Sequence, residues 1–302
     1  MPNIFEKRDL EGMANLYPDV SSDGLLDLEY ILYEQAGRIG RITLNRPDLR
    51  NAISMDMLYE IRSVFQRLDW ENEVRVMIIR GAGRGFSSGY DLDGLAESEE
   101  TDPLQDSMRN IAVQGIYNEI RNYRMATIAQ IHGFCLNGAT DLAHCVDFTV
   151  VTKDCEIGYP SLRCWGADMS NMWLYHMGPQ WAKYLMMTGD TIDGEMAEKI
   201  GFAIKSVPED KLESTVMHVA ERLANVRKEM LSAHKGVVNQ GLELMGMVAL
   251  QRYAVNSDSI TNQSDAVRKV FDRTLGLGIK SLLKIMNEGF KPQKAPFEPL
   301  DE

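Results

Sequence analysis

A glycine and a carboxylate lie three residues apart at the predicted start of a short helix. Residues 125–131 read as a buried strand, and a glycine-containing turn then leads into an apolar helix that begins near Gly138. The first N–H groups of a helix have no partner within it, and the helix dipole adds positive potential there. Such an end suits a developing oxyanion, and Asp141 places a carboxylate one turn away. An ordinary strand–turn–helix without chemistry explains this pattern equally well.

A second stretch supplies a partner for the first. Residues 74–79 read as another buried strand, and the glycine-rich turn after it offers the backbone N–H of Tyr90 as a second oxyanion donor. The two stretches carry the patterns Gly81…Phe86-Ser87-Ser88-Gly89-Tyr90-Asp91-Leu92 and His132-Gly133…Gly138-Ala139-Thr140-Asp141-Leu142. Two further patterns stand at Leu44-Asn45-Arg46-Pro47-Asp48-Leu49-Arg50-Asn51-Ala52 and at Thr188-Gly189-Asp190-Thr191-Ile192 through Ala197, Gly201 and Phe202.

These four motifs, in this order and at this spacing, resemble the crotonase (enoyl-CoA hydratase/isomerase) superfamily over roughly residues 30–291. The resemblance implies an α/β fold with a β-β-α spiral core and a C-terminal helical region for oligomerisation. It divides the chain into an N-terminal extension (1–28), the spiral core (29–206), the helical region (207–291) and a loose tail (292–302). A homotrimer or a homohexamer is the assembly that the family implies.

The same resemblance implies an acyl-CoA thioester as substrate. CoA would enter as part of the substrate, and no permanently bound cofactor is expected. The thioester carbonyl would lie between the N–H groups of Tyr90 and Gly138. The positions that match the CoA-binding part of the family are Arg50, Ala52, Ser88, Gly89, Asp91 and Leu92. Asp91 is also expected, with Asp147, to tie its loop to nearby backbone N–H groups.

The acid/base positions depart from the family pattern. Family hydratases carry two glutamates, and the matching positions here hold Asp141 and Ser161. Serine has no useful acidity near neutral pH and cannot replace a glutamate as general acid. Asp168 could supply a substitute carboxylate, or it could cap a helix that begins near residue 169. Burial should raise the pKa of Asp141 and suit it to act as a base, unless local backbone donors bind it.

Several other side chains flank this predicted site. Tyr159 and Trp165 could line an acyl pocket for a bulky or cyclic group, although core packing explains aromatic residues as well. His132 and His144 are expected to be satisfied structural histidines rather than catalytic bases.

Three functions remain open at this point. The first is addition or removal of water at a 2-enoyl-CoA, with Asp141 positioning or deprotonating the water. The second is another enolate reaction in the same site, either isomerisation of a double bond or hydrolysis of a β-keto C–C bond. Loss of the second glutamate favours this one, whereas the commonest activity in the family favours the first, which is the expected function. The third is an acyl-CoA-binding protein without catalysis, which retention of both glycine motifs disfavours.

Composition narrows the possible partners. The net charge of −12 provides no overall positive electrostatic field that would attract nucleic acid or an anionic membrane. An anionic CoA would therefore need a local basic rim, for which Arg46, Arg50, Arg80 and Arg84 are candidates. The four cysteines show no metal-ligand spacing, so no metal site is expected. Without a targeting pattern or an apolar run near about 20 residues, a cytoplasmic protein is expected.

The remaining pattern predicts alternating strands and helices followed by helices alone, which favours parallel βαβ units. A hairpin is predicted over residues 30–34 and 39–44, and another strand over 148–152. Helices are predicted over residues 55–68, 104–121, 211–223, 229–247, 266–277 and 279–287.

Overall fold

The computed structural model describes residues 28–71, 74–91, 102–164, 170–274, 284–290 and 294–295. Three of the candidate site residues, Leu92, Trp165 and Asp168, lie outside the described residues. The same holds for nearly all of the predicted N-terminal extension.

A six-stranded sheet forms the centre of the described fold. Its strands in chain order are β1 (Ile31–Ala36), β2 (Ile39–Leu44), β3 (Val76–Gly81), β4 (Ala126–Ile131), β6 (Phe148–Thr152) and β9 (Lys205–Val207). Only the β1–β2 hairpin is antiparallel, and the spatial order is β1-β2-β3-β4-β6-β9. The mostly parallel sheet confirms the prediction from alternating strands and helices.

Strand β3 shows why this sheet is covered on both faces. Val76 and Ile78 point into one apolar cluster, while Met77 and Ile79 point into another on the opposite face. Successive side chains of a strand alternate between faces, so a continuous apolar run fits a strand buried on both. The larger cluster lies on the face that includes Leu142, close to the candidate site.

A second, smaller sheet carries the turns of the site. It consists of β5 (Phe134–Leu136), β7 (Glu156–Gly158), β8 (Thr191–Ile192) and β10 (Lys294–Ala295), in the order β10-β8-β7-β5. The pairing of β10 with β8 shows that the predicted loose tail is wrong for these two residues. Strands of two or three residues are too short for an alternating pattern to be detected in the sequence.

The helices surround these sheets and dominate the C-terminal part of the chain. They are α1 (Met55–Glu71), α2 (Pro103–Asn122), α3 (Gly138–His144), α4 (Trp173–Thr188), α5 (Gly194–Ile200), α6 (Glu209–Ala224), α7 (Lys228–Leu244), α8 (Met247–Asn262) and α9 (Asp265–Thr274). Two short 3-10 turns span Pro47–Leu49 and Pro160–Arg163. The start of α3 at Gly138 confirms the predicted helix start.

One helix was missed. The predicted helix over residues 229–247 corresponds to α7, which ends at Leu244, whereas α8 was not predicted. Gly246 lies between the two helices with φ +92°, a left-handed conformation that interrupts the helical backbone. Helix α8 packs against α2, where its Gln251 carbonyl accepts from the side chain of Gln114.

Candidate active site

Two backbone turns meet beyond the carboxyl ends of β3 and β4. The carbonyl of Ser87 accepts a hydrogen bond from the N–H of Leu136 at 3.1 Å. Gly89 has φ +107°, and a Cβ added to it would lie 3.0 Å from the backbone nitrogen of Gly138. Glycine is required at this position because a side chain would force the two turns apart.

Two backbone amides at this junction have no hydrogen-bond partner within the described part of the chain. Neither the N–H of Tyr90 nor that of Gly138 donates a hydrogen bond to another described residue. Gly138 is the first residue of α3, so no carbonyl of the helix can accept from its N–H. An unpaired amide away from water has a free-energy cost, which a ligand oxygen would remove.

Asp141 lies one helical turn further along α3 and is fully buried. Its Oδ1 accepts from the backbone N–H of Ser170 at 3.0 Å. Its Oδ2 accepts from the hydroxyl of Tyr90 at 3.0 Å and from that of Tyr159 at 3.4 Å. Donors to both oxygens stabilise a buried carboxylate. The backbone donor was an expected alternative, whereas the two phenols were not predicted from the sequence.

The Tyr90 side chain joins the unpaired amides to Asp141. Its ring lies across Gly138, where an added Cβ would be 2.3 Å from Tyr90 Cε2. Its hydroxyl lies 3.0 Å from the hydroxyl of Tyr117 on α2. Removal from water raises the pKa of the Tyr90 phenol well above 10, and the charge of Asp141 raises it further. The phenol therefore remains protonated at neutral pH.

Ser161 lies in the Pro160–Arg163 turn beside the same junction. Its backbone N–H donates to Oδ1 of Asn137 at 2.9 Å, and the Asn137 side-chain amide donates to the carbonyl of Ser88 at 3.1 Å. Asn137 directly precedes Gly138 and has φ +52° and ψ −131°. One side chain thus connects three turns of the site.

Sequence reasoning missed two asparagines that hold these turns. Asn137 is one, and Asn51 is the other, with φ +53°. The Asn51 side-chain amide donates to the carbonyls of Ala82, Gly85 and Phe86 at 2.8–3.1 Å. Asparagine is one of the few non-glycine residues that tolerate positive φ, so its presence within two of the four motifs was the available signal.

The candidate CoA-binding residues within the described chain lie on adjoining loops. The N–H of Ser88 donates to the carbonyl of Arg50 at 3.0 Å. The guanidinium of Arg46 binds the carboxylate of Asp91 at 2.6 Å and the carbonyl of Ala52 at 2.8 Å. The structure therefore brings Arg50, Ala52, Ser88, Gly89 and Asp91 together.

The four candidate rim arginines fall into two pairs. Arg46 binds Asp91, and Arg80 binds Thr43 Oγ1 at 3.0 Å, so both are engaged within the protein. Arg50 and Arg84 are exposed, and neither forms an ion pair with another described residue. These two remain available to an anionic ligand.

Asp147, His132 and His144 differ in the hydrogen bonds that their side chains form. Asp147 accepts from the N–H of Thr127 at 2.8 Å, as predicted, and also from Lys235. The His132 ring forms a hydrogen bond with the carbonyl of Gly83 at 2.9 Å. His144 is buried, and neither of its ring nitrogens has a partner among the described residues.

Within the described part of the chain, no group of three or more metal-ligating side chains is placed to hold a metal ion. No described helix combines the length and the apolar character needed to cross a membrane. All four cysteines are buried, and none of them forms a disulfide.

Comparison with known proteins gives a consistent result. A sequence model of the family described as enoyl-CoA hydratase/isomerase matches residues 34–272. EchA13 of Mycobacterium tuberculosis, whose name places it with the enoyl-CoA hydratases, is 33% identical over 248 residues, covering 74% of this chain and 77% of that protein. Hydroxycinnamoyl-CoA hydratase-lyase of Pseudomonas fluorescens is 28% identical over 203 residues, covering 65% and 73%.

Solved structures share the fold. An enoyl-CoA hydratase/isomerase from Xanthobacter autotrophicus Py2 has a TM-score of 0.82 at 27% identity, covering 87% of this chain and 99% of that one. An enoyl-CoA hydratase from Mycobacterium smegmatis has a TM-score of 0.81 at 28% identity, covering 87% and 94%.

Proposed function

Because the chain belongs to the enoyl-CoA hydratase/isomerase family of the crotonase superfamily, we propose that it stabilises the enolate of an acyl-CoA thioester and adds or removes water. The observation that carries this proposal is the pair of unpaired amides, Tyr90 and Gly138, beside the buried carboxylate of Asp141. Two donors aimed at one oxygen stabilise a thioester enolate, with about 3 kcal/mol for each donor in comparable sites.

The CoA portion would bind along the loops that carry Arg50, Ala52, Ser88, Gly89 and Asp91, with Leu92 beyond the described residues. The exposed, unpaired guanidinium groups of Arg50 and Arg84 support this placement because CoA is anionic. They supply a local positive rim on a protein whose net charge is −12.

Asp141 is the proposed acid/base group of the reaction. Ser161 occupies the position of the second family glutamate and contributes no acidity near neutral pH. Asp168 is the proposed substitute carboxylate if two carboxylates are needed. Tyr159 contacts Asp141, which supports its placement in the acyl pocket, and Trp165 is proposed to line the same pocket.

A second candidate is an isomerase or a β-keto C–C hydrolase in the same site. The specific observation in its favour is Ser161, since addition of water in this family uses a second carboxylate at that position. Both reactions pass through an enolate held by the same two amides, so the oxyanion donors would be shared.

We also propose a homotrimer or homohexamer. No residue of helix α7 is fully buried within the described part of the chain. Four apolar side chains on α7 and α8 are each more than 70% exposed: Val237, Leu244, Tyr253 and Ile260. Such apolar exposure supports an interface with another copy.

The deciding experiment follows the conjugated thioester absorbance of crotonyl-CoA and of cinnamoyl-CoA. Rapid loss, with water found at C3 of the product, supports the hydratase. Tight binding without loss removes hydration of these esters and favours the second candidate. If neither ester binds and no related CoA ester is turned over, the acyl-CoA function is wrong. Binding without any turnover of enoyl or β-keto esters would indicate an acyl-CoA-binding protein.

A further inference from the structure

The hydrogen bonds around Tyr90 have a defined direction. A carboxylate only accepts, so the Tyr90 hydroxyl must donate its single proton to Oδ2 of Asp141. The Tyr117 hydroxyl, 3.0 Å away, must then donate to the Tyr90 oxygen. The result is a one-way chain from Tyr117 through Tyr90 to Asp141, with the phenol of Tyr90 in the middle.

The same phenol lies between the two parts of the proposed site. Its ring covers Gly138, and its hydroxyl reaches Asp141. Three residues of helix rise about 4.5 Å, so Asp141 lies about that distance along α3 from Gly138. An acyl group held by the two amides would therefore lie along the Tyr90 ring. Part of this side chain remains accessible.

Asp141 is covered on both oxygens. Ser170 donates to Oδ1, and two phenols donate to Oδ2. Among the described residues, the Tyr90 hydroxyl is thus the group that presents an exchangeable proton next to Gly138. Tyrosine is an accepted general acid/base when it lies within hydrogen-bond reach of its proton partner.

We propose that the Tyr90 hydroxyl is the catalytic group that exchanges a proton with the α-carbon of the acyl-CoA, and that Asp141 acts through this hydroxyl. This inference rests on the proposed function. When the α C–H bond breaks, its electron pair enters the enolate. The proton goes to the Tyr90 oxygen while the former Tyr90 proton moves to Asp141. The reverse transfer protonates the α-carbon, so no external reagent is consumed.

Tyr117 is a positioning residue in this scheme. Its hydroxyl donates to the Tyr90 oxygen and directs the Tyr90 proton towards Asp141. The Tyr159 hydroxyl donates to the same carboxylate oxygen at the longer distance of 3.4 Å. Removal of either outer hydroxyl should have a smaller effect than removal of the hydroxyl of Tyr90.

The test measures entry of deuterium from D₂O into the α-carbon of saturated esters, butyryl-CoA and 3-phenylpropionyl-CoA, by mass spectrometry. Tyr90→Phe keeps the ring over Gly138 and removes only the hydroxyl. We expect exchange to fall by about 10²–10⁴-fold, while the Kd for each ester changes less than about threefold. Tyr117→Phe and Tyr159→Phe are the matched controls, each with a loss below about tenfold.

Two results would overturn the inference. Exchange by Tyr90→Phe at the wild-type rate would show that Tyr90 is only a wall of the pocket, and the proposed function would stand. A loss equal to that in both control variants would show a general disturbance of the cluster rather than proton transfer by Tyr90. Absence of exchange in the wild-type protein with both esters would overturn the enolate function and the role of Tyr90 together.

Discussion

Asp141 and His144 lie one turn apart on α3, and both are buried, yet their surroundings are opposite in kind. Asp141 accepts hydrogen bonds on both oxygens. The His144 ring instead lies 4.8–5.0 Å from the rings of Trp173, His176 and Phe202. Neither of its nitrogens has a partner among the described residues.

The difference shows that the two sides of one short helix have different chemical surroundings. The Asp141 side of α3 is polar, connected to Tyr90 and adjacent to the unpaired amides. On the other side, burial lowers the pKa of His144 well below 6.5, and nearby His176 and Arg121 lower it further. His144 is therefore neutral at physiological pH and acts as an aromatic core residue. Changes on the two sides of α3 should affect different properties.

The largest expected effect is on activity and comes from Asp141→Asn. Removing the base should lower kcat by about 10²–10⁴-fold while binding of an acyl-CoA persists. Asp147→Asn is the matched control because Asp147 pairs with Lys235 at 2.8 Å away from the unpaired amides. That variant should lose about 2 kcal/mol of stability and keep kcat. Steady-state kinetics and urea unfolding measure both, and equal kcat losses would contradict the assignment.

A smaller loss is expected at Asn137. Asn137→Gly and Asn137→Ala both remove the hydrogen bonds to Ser161 and Ser88 and should lower kcat about tenfold. Only alanine is strained at φ +52° and ψ −131°, so this variant should be about 1–3 kcal/mol less stable than the glycine variant. Equal stabilities in urea unfolding, with wild-type kcat in both, would remove Asn137 from the site.

His144→Phe tests the packing side of α3 through stability. Burial lowers the folded-state pKa of His144, and that of His176 to about 4, so the unfolded chain binds more protons below pH 6.5. Wild-type stability should therefore be full above pH 6.5 and fall towards pH 4. His144→Phe should reduce this fall and keep kcat at pH 7, as calorimetry at pH 7 and pH 5 would show.

The exposed His218→Phe is the control for that experiment and should retain the wild-type pH dependence. A His144→Phe protein whose melting temperature falls between pH 7 and pH 5 as steeply as the wild type would place the acid-sensitive group elsewhere.

The smallest effect is expected at Ser161. The serine hydroxyl supplies no acidity, so Ser161→Ala should keep kcat within about threefold of wild type. Its backbone N–H, which binds Asn137, is unchanged by this substitution. A loss of kcat beyond about tenfold in steady-state assays would assign the hydroxyl a direct part in the reaction.

The sequence predicted the oxyanion elements because their chemistry lies in local motifs. Gly138 begins a helix and Asp141 follows one turn later. The spacing of these residues in the sequence is sufficient to predict this arrangement. The direction of the Tyr90 side chain could not be predicted, since it depends on Tyr117, 27 residues away on α2. The small sheet was not predicted because strands of two or three residues are too short to show an alternation of apolar and polar residues.

The most direct test of the central claim is the ¹³C chemical shift of the thioester carbonyl in bound [1-¹³C]butyryl-CoA. Two N–H donors from Tyr90 and Gly138 would polarise the carbonyl and move its resonance downfield from that of the free ester. The shift should persist in Asp141→Asn, because both donors are backbone groups. A bound ester whose carbonyl resonance stays at its value in water would contradict the claim that these two amides bind the thioester oxygen.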